Sequence, residues 1–228
     1  MPNQEDLIKV YDYIYSQGGV RNPDKKATIM APYGSHANRD KMFIDWISQN
    51  VKMGARILDA SCGRGHLALS LHKLGYEVEA TEVSQWLIDN ELKQLPFPTH
   101  LLRYDQLYQL PEKSFDVVCS NDVLEHLISK EVVRGAVDNL FRLSRSAVCI
   151  SIGRGVFADR YPRSLAISND CEIIGEGKLK RRVAFNLHTF RASRTWWKRV
   201  LGPRFQKRCL HYTAPRGNIF IFGFLNDV

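Results

Sequence analysis

The sequence predicts one α/β domain on a seven-stranded sheet, six strands parallel and one antiparallel, with helices on both faces. Three observations predict it. Between residues 54 and 152 short β-rich runs alternate with helical segments. A strand at 56–60 runs straight into a glycine turn and then a helix. The chain closes on two strand-like runs joined by the short Pro- and Gly-containing link 213–217, which makes them an antiparallel hairpin.

Each element follows from local pattern. Residues 5–17 repeat apolar side chains at helical spacing, Leu7, Ile8, Val10, Tyr11, Ile14 and Tyr15, until Gly18-Gly19 stops them. The stretch 18–34, rich in Gly, Pro, Asn and Lys, reads as a long loop able to close over a ligand. Ser35 or Asn38 caps a second helix running to about Asn50. The alternation then reads strand 56–60, helix 65–74, strand 77–81, helix 84–93, strand 100–103 and strand 115–120. A helical stretch at 123–143, broken near Ser129, precedes a strand at 147–152. After a less regular segment, a helix at 193–201 feeds strands at 207–212 and 218–225. The organisation is an N-terminal helical cap with its lid loop (1–53), a ligand-binding core (54–152), an insertion (153–192), and a final helix with the closing hairpin (193–228).

Composition narrows the class. At 228 residues, 44% hydrophobic and 25% charged, the chain can bury one sizeable core and is neither disordered nor a disulfide scaffold. Its apolar runs are far shorter than the roughly 20 residues that span a bilayer, so no membrane partner is expected. The acidic start without an apolar stretch makes the cytoplasm the expected location. Five widely spaced cysteines without a C-x-x-C read as reduced thiols, not zinc ligands. Charge is asymmetric: residues 1–150 hold 17 Lys/Arg against 19 Asp/Glu, and residues 151–228 hold 15 against 5. The C-terminal third therefore presents either a solvated basic surface or a face for something anionic.

The chemistry concentrates at Asp59-Ala60-Ser61-Cys62-Gly63-Arg64-Gly65-His66-Leu67. Gly63 and Gly65 let the backbone turn sharply and approach a bound group, and the following helix start offers free N–H donors. In an open α/β sheet the crevice at the carboxyl ends of the strands is the ligand site. The next strand ends at Glu82-Val83, seventeen residues beyond Gly65, where a carboxylate can accept two hydrogen bonds from a ribose diol. That points to a nucleoside. Gly63 to Ala68 also fits G-x-G-x-x-A, so a nicotinamide dinucleotide remains open on the glycines alone.

The whole constellation resembles the class I S-adenosylmethionine-dependent methyltransferases, which have a Rossmann-like fold, notably the branch with the quinone-biosynthesis enzymes and other small-molecule methyltransferases. Asp59 to Gly65 matches that family's D-x-G-x-G-x-G with Ser61 in place of the first glycine. Tyr104-Asp105, Leu110-Pro111 and Phe115-Asp116-Val117-Val118 resemble its D-x-x-x-L-P…F-D-V-V run, and 119–127 resembles its fourth strand and the helix after it. The resemblance implies S-adenosyl-L-methionine as cofactor, held by Asp59, Ser61, Gly63, Gly65, Glu82, Val83, Asp105 (on adenine) and Asn121 (chiefly through backbone).

Methyl transfer to a hydroxyl or ammonium also needs a proton acceptor. His126, after the fourth strand, and His188, where the insertion returns to the sheet, are the catalytic candidates; Asp122 reads more simply as a helix N-cap. Of Trp196-Trp197, one ring is expected in the core and the other toward the acceptor segment or solvent. Lys178, Lys180, Arg181 and Arg182 form a basic run suited to an anion. The function expected is methyl transfer to an oxygen or nitrogen of a small, anionic metabolite or sugar-linked precursor. A nucleic-acid methyltransferase using the basic C-terminal third, and a nicotinamide-dependent oxidoreductase, are the alternatives.

Overall fold

Three of the helices form where a capping serine hydroxyl precedes an apolar stripe, and strands form where apolar residues face both sides of one sheet. The computed structural model describes residues 4–16, 20–22, 27–29, 37–152, 166–167, 190–206, 210–213 and 219–225. Helix α1 (Gln4–Ser16) is followed by a short antiparallel pair, β1 (Val20–Asn22) and β2 (Ala27–Ile29), with Val20 opposite Ile29. This pair lies inside the stretch expected to be an irregular loop. Val20, Thr28 and Ile29 are β-branched, and their strand preference was masked by the breakers around them.

Next come α2 (Ala37–Asn50), β3 (Arg56–Ala60), α3 (His66–Lys73), β4 (Glu77–Glu82), α4 (Gln85–Asn90), β5 (Thr99–Leu101), β6 (Phe115–Asn121), α5 (Lys130–Leu143) and β7 (Ser144–Ile152). Beyond them lie β8 (Ala166–Ile167) paired with β9 (Phe190–Arg191), then α6 (Arg194–Leu201), β10 (Leu210–Thr213) and β11 (Ile219–Phe224). Serines 84, 129 and 193 cap α4, α5 and α6, each accepting from the N–H three residues on.

The central sheet has strand order β10-β11-β7-β6-β3-β4-β5. Strands β7, β6, β3, β4 and β5 join by parallel pairing, whereas β11 runs antiparallel to both β7 and β10. β10 therefore points the same way as the parallel five without touching them. The chain steps from β3 outward to β4 and later returns to β6 on the other side. The switch point thus lies over β3 and β6, with Ala60, Glu82, Asn121 and Ile152 at the carboxyl edge.

Alternation along these strands makes a two-sided core. Leu58, Val118, Val148, Ile150, Ile219 and Ile221 face the layer formed by α5 and α6, where Val133, Val137, Leu140 and Trp197 close against them. Ile57, Val117, Cys119, Cys149, Phe220 and Phe222 face α2 and α3 through Phe43, Ile47, Leu67 and Leu71. Cys62, Cys119 and Cys149 are free thiols. Among the described residues, no helix is long and apolar enough to cross a membrane.

Candidate active site

The turn after β3 is left-handed at three alternate positions: φ is 55° at Ser61, 56° at Gly63 and 73° at Gly65. The motif asks for glycine at the first of these because only glycine enters that region without steric cost; Ser61 enters it anyway. The fold supports the serine backbone from the neighbouring strand, with Ser61 N–H donating to Thr81 Oγ1 (3.0 Å) and Cys62 N–H to the Thr81 carbonyl (2.8 Å). Gly65 is required twice over, since a Cβ there would sit 2.8 Å from Leu95 Cδ1 and 3.2 Å from Leu92 Cδ2.

Glu82 and Val83 sit at the end of β4, beside the turn. The Glu82 side chain is 3% exposed, and its two oxygens accept from the N–H groups of Gly63 (2.8 Å) and Ser84 (3.1 Å). Burial pushes its carboxyl above the ordinary range, and the N–H groups of Ser84, Val83 and Gly63 pull it back. Asp59 is 1% exposed, and its Oδ2 is buried without a hydrogen-bond partner. Burial, with the Asp40 carboxylate next in importance, raises the Asp59 pKa to about 7.

Asn121 ends β6 with both ends of its amide engaged: Nδ2 donates to Asp40 Oδ1 (2.8 Å) and Oδ1 accepts from Ser151 Oγ (2.8 Å). Only its backbone is left to line the crevice. Contrary to the expectation for Asp122, it does not cap the next turn; Val123 holds that place, ahead of a 3₁₀ turn at Leu124–His126. At φ 54°, Asp122 instead sends its carboxylate to Arg39 Nη1 (2.5 Å) and to Ser151 Oγ (2.6 Å). An Asp tolerates the left-handed region better than most residues, which explains the choice.

Asp105 lies on a 3₁₀ turn at Tyr104–Gln109, and its carboxylate is held by Arg103 Nε and Nη2, both at 2.9 Å. Tyr104 ties that turn to the crevice through Ala60 O (3.1 Å) and Ser120 Oγ (2.8 Å). His126 Nδ1 lies 2.8 Å from the Tyr11 hydroxyl. His188 and the basic run 178–182 lie outside the described residues. Trp197 is fully buried and Trp196 half-buried, their rings perpendicular at 4.9 Å.

What the sequence did not single out is the role of α1 and α2. Tyr11, Asp12 and Tyr15 share one face of α1 and lie across the carboxyl edge of the sheet. Asp12 Oδ1 accepts from Ser84 Oγ (2.5 Å) and Trp86 N–H (3.2 Å), beyond β4. The Tyr15 hydroxyl meets the open side of Gly63, 3.3 Å from where a Cβ would be, and Arg64 lies over its ring. Tyr11 reaches His126, beyond β6. From α2, Arg39 and Asp40 enter the network around Asn121, and burial raises the Asp40 pKa against the opposing pull of Arg39. One signal was available: polar tips at positions 11, 12 and 15 fall on the face an amphipathic helix buries.

The methyltransferase domain family matches residues 35–214. No curated protein sequence matches the chain. Among solved structures, the fold is similar to that of magnesium protoporphyrin IX methyltransferase from Synechocystis PCC 6803 with bound S-adenosylmethionine. The TM-score is 0.63 at 16% identity, covering 99% of this chain and 100% of the other. It is similar also to 1,6-didemethyltoxoflavin-N1-methyltransferase from Burkholderia thailandensis, with TM-score 0.61 at 13% identity, covering 100% of this chain and 92% of the other. The chain belongs to the methyltransferase domain family and has the fold of the class I S-adenosylmethionine-dependent methyltransferases.

Proposed function

We propose that the chain transfers a methyl group from S-adenosyl-L-methionine to an oxygen or nitrogen of a small, anionic metabolite or sugar-linked precursor. Membership of the methyltransferase domain family sets aside the nicotinamide reading of the glycine turn. The observation that carries the cofactor reading is the Glu82 carboxylate hydrogen-bonded to the Gly63 N–H, which puts a diol acceptor against an open backbone turn. The residues present fit the group. Asp59 Oδ2 is a buried acceptor without a donor, and the carboxylates of Asp40, Asp59 and Glu82 make the crevice favourable for a ligand with an ammonium and a sulfonium.

When bound, that cofactor supplies an electrophilic methyl group, so the protein's work is positioning and proton removal. Glu82, with the N–H groups of Gly63 and Val83 around it, holds the ribose side. Ser61 and Gly65 shape the turn, Asp105 would hold the adenine amine, and the Asn121 backbone would line the floor. His126, oriented by Tyr11, takes the acceptor proton, with His188 as the second candidate from the insertion. Residues 1–53 act as the cap, 54–152 as the cofactor core, 153–192 as the acceptor-side insertion, and 193–228 close the same domain.

Isothermal titration calorimetry tests the assignment. Micromolar binding of S-adenosylhomocysteine without comparable binding of NAD is the expected result, and tighter binding of NAD overturns it.

A further inference from the structure

A second feature stands apart from the crevice. Helices α5 and α6 enclose a groove of about 440 Å³, lined by Lys130, Arg134 and Asp138 from one side and by Trp196, Arg199 and Arg204 from the other. No residue assigned above to cofactor or proton transfer lines it. Lys130, Arg134 and Asp138 recur every four residues, and Trp196 and Arg199 are three apart, so each helix turns one continuous stripe toward the groove. The one lining carboxylate, Asp138, is paired with Arg204. Glu131, next to Lys130, is the other carboxylate close by. Arg134 and Arg199 are exposed, and neither forms an ion pair among the described residues.

We propose that this groove docks a single strand of nucleic acid, with phosphates on Lys130, Arg134 and Arg199 and one base against Trp196. Three observations favour that partner over an acidic protein segment. Two of these three cations are arginines, whose planar forks match phosphate oxygens. Helix α6 and the turn after it carry four Lys/Arg and no carboxylate, which suits a long polyanion better than a local acidic patch. Trp196 is only half-buried and sits among the cations, the pairing of stacking ring and charged track that single strands use.

The probe is a fluorescein-labelled oligothymidylate of about twelve nucleotides, followed by anisotropy over a salt series starting near 50 mM. Binding should weaken with salt, with log K against log[salt] sloping about −2 for three phosphates at roughly −0.7 each. The double variant Arg134→Glu, Arg199→Glu should bind at least about 10-fold more weakly, with a slope shallower by about 1.4. Its affinity for S-adenosylhomocysteine and its thermal midpoint should match wild type, because both side chains are exposed and outside the crevice. Arg134→Lys with Arg199→Lys should retain the slope. The proposal is overturned if wild type fails to bind at the lowest salt, or if the charge-reversed variant binds like wild type. It is equally overturned if polyglutamate competes as well as unlabelled strand, or if the matching duplex binds more tightly than the single strand.

Discussion

Tyr11 and His126 are 115 residues apart in the chain, yet the tyrosine hydroxyl lies 2.8 Å from Nδ1 of the histidine. That bond joins α1 to the turn after β6 and bears on which imidazole nitrogen can act. When Nδ1 carries the proton and donates it to the tyrosine oxygen, Nε2 is an acceptor, the state a general base requires.

His126→Ala should therefore lower kcat by about 10²- to 10⁴-fold, and Tyr11→Phe by a smaller factor, about 10-fold, while S-adenosylhomocysteine affinity changes little in either. Steady-state kinetics with an identified acceptor, beside calorimetry, checks this. Wild-type turnover in His126→Ala would leave the ring as a packing element and move the base to His188.

Glu82→Ala should weaken cofactor binding by about 1.5 to 3 kcal/mol, the scale of hydrogen bonds to a charged group. Calorimetry on the folded variant measures it, and an unchanged affinity would mean that the ribose lies elsewhere.

Asp59 makes stability depend on pH. Its carboxyl titrates at about 7 in the folded protein, above the value of 3.8 for an unburied aspartate, so between those pH values the folded state keeps a proton that the unfolded state has lost. Stability from this group is thus greatest below pH 4 and declines as pH rises toward 7. Asp59→Asn removes the titration without changing the shape. Denaturant unfolding at several pH values should show the variant gaining on wild type from pH 4 to 7, by a few kcal/mol at most, roughly 1.4 per pH unit.

Backbone strain at the turn gives a graded test. Ser61→Gly should leave stability within about 1 kcal/mol of wild type, because relief of the left-handed φ is offset by added freedom of the unfolded chain. Gly65→Ala should cost about 1 to 3 kcal/mol, since φ is 73° and the new methyl group would press on Leu95 and Leu92. Thermal and urea unfolding of the two variants would separate them.

Hydrogen exchange should slow in residues 4–16 when S-adenosylhomocysteine is added, because α1 lies over the turn through Tyr15 and over β4 through Asp12. Identical exchange with and without it would make α1 a static buttress.

The sheet and its switch point were readable because their signals are local: alternation in β3, β6, β7 and β11, and the glycine turn placed directly after a strand. Glu82 was readable for the same reason, as the acid at the next strand end. Arg39, Asp40, Tyr11 and Tyr15 were not. They reach the crevice only because α1 and α2 dock across the carboxyl edge, and amphipathic periodicity reveals which face is buried without revealing what it meets. Asp122 misled because an acid before a helical run is a good cap, and its ion pair with a residue 83 positions earlier leaves no local trace.

The antiparallel insertion of β11 between β7 and β10 has a consequence for biosynthesis. During translation the parallel core through Ile152 can pair long before residues 219–224 leave the ribosome, and until they do the outer edge of β7 carries six apolar or small residues, Ala147 to Ile152, with open N–H and C=O groups. A stalled or truncated chain would display that edge as a template for its neighbours. Loss of the last dozen residues should therefore show itself as aggregation during expression, with the soluble yield rescued by supplying the missing strand in trans.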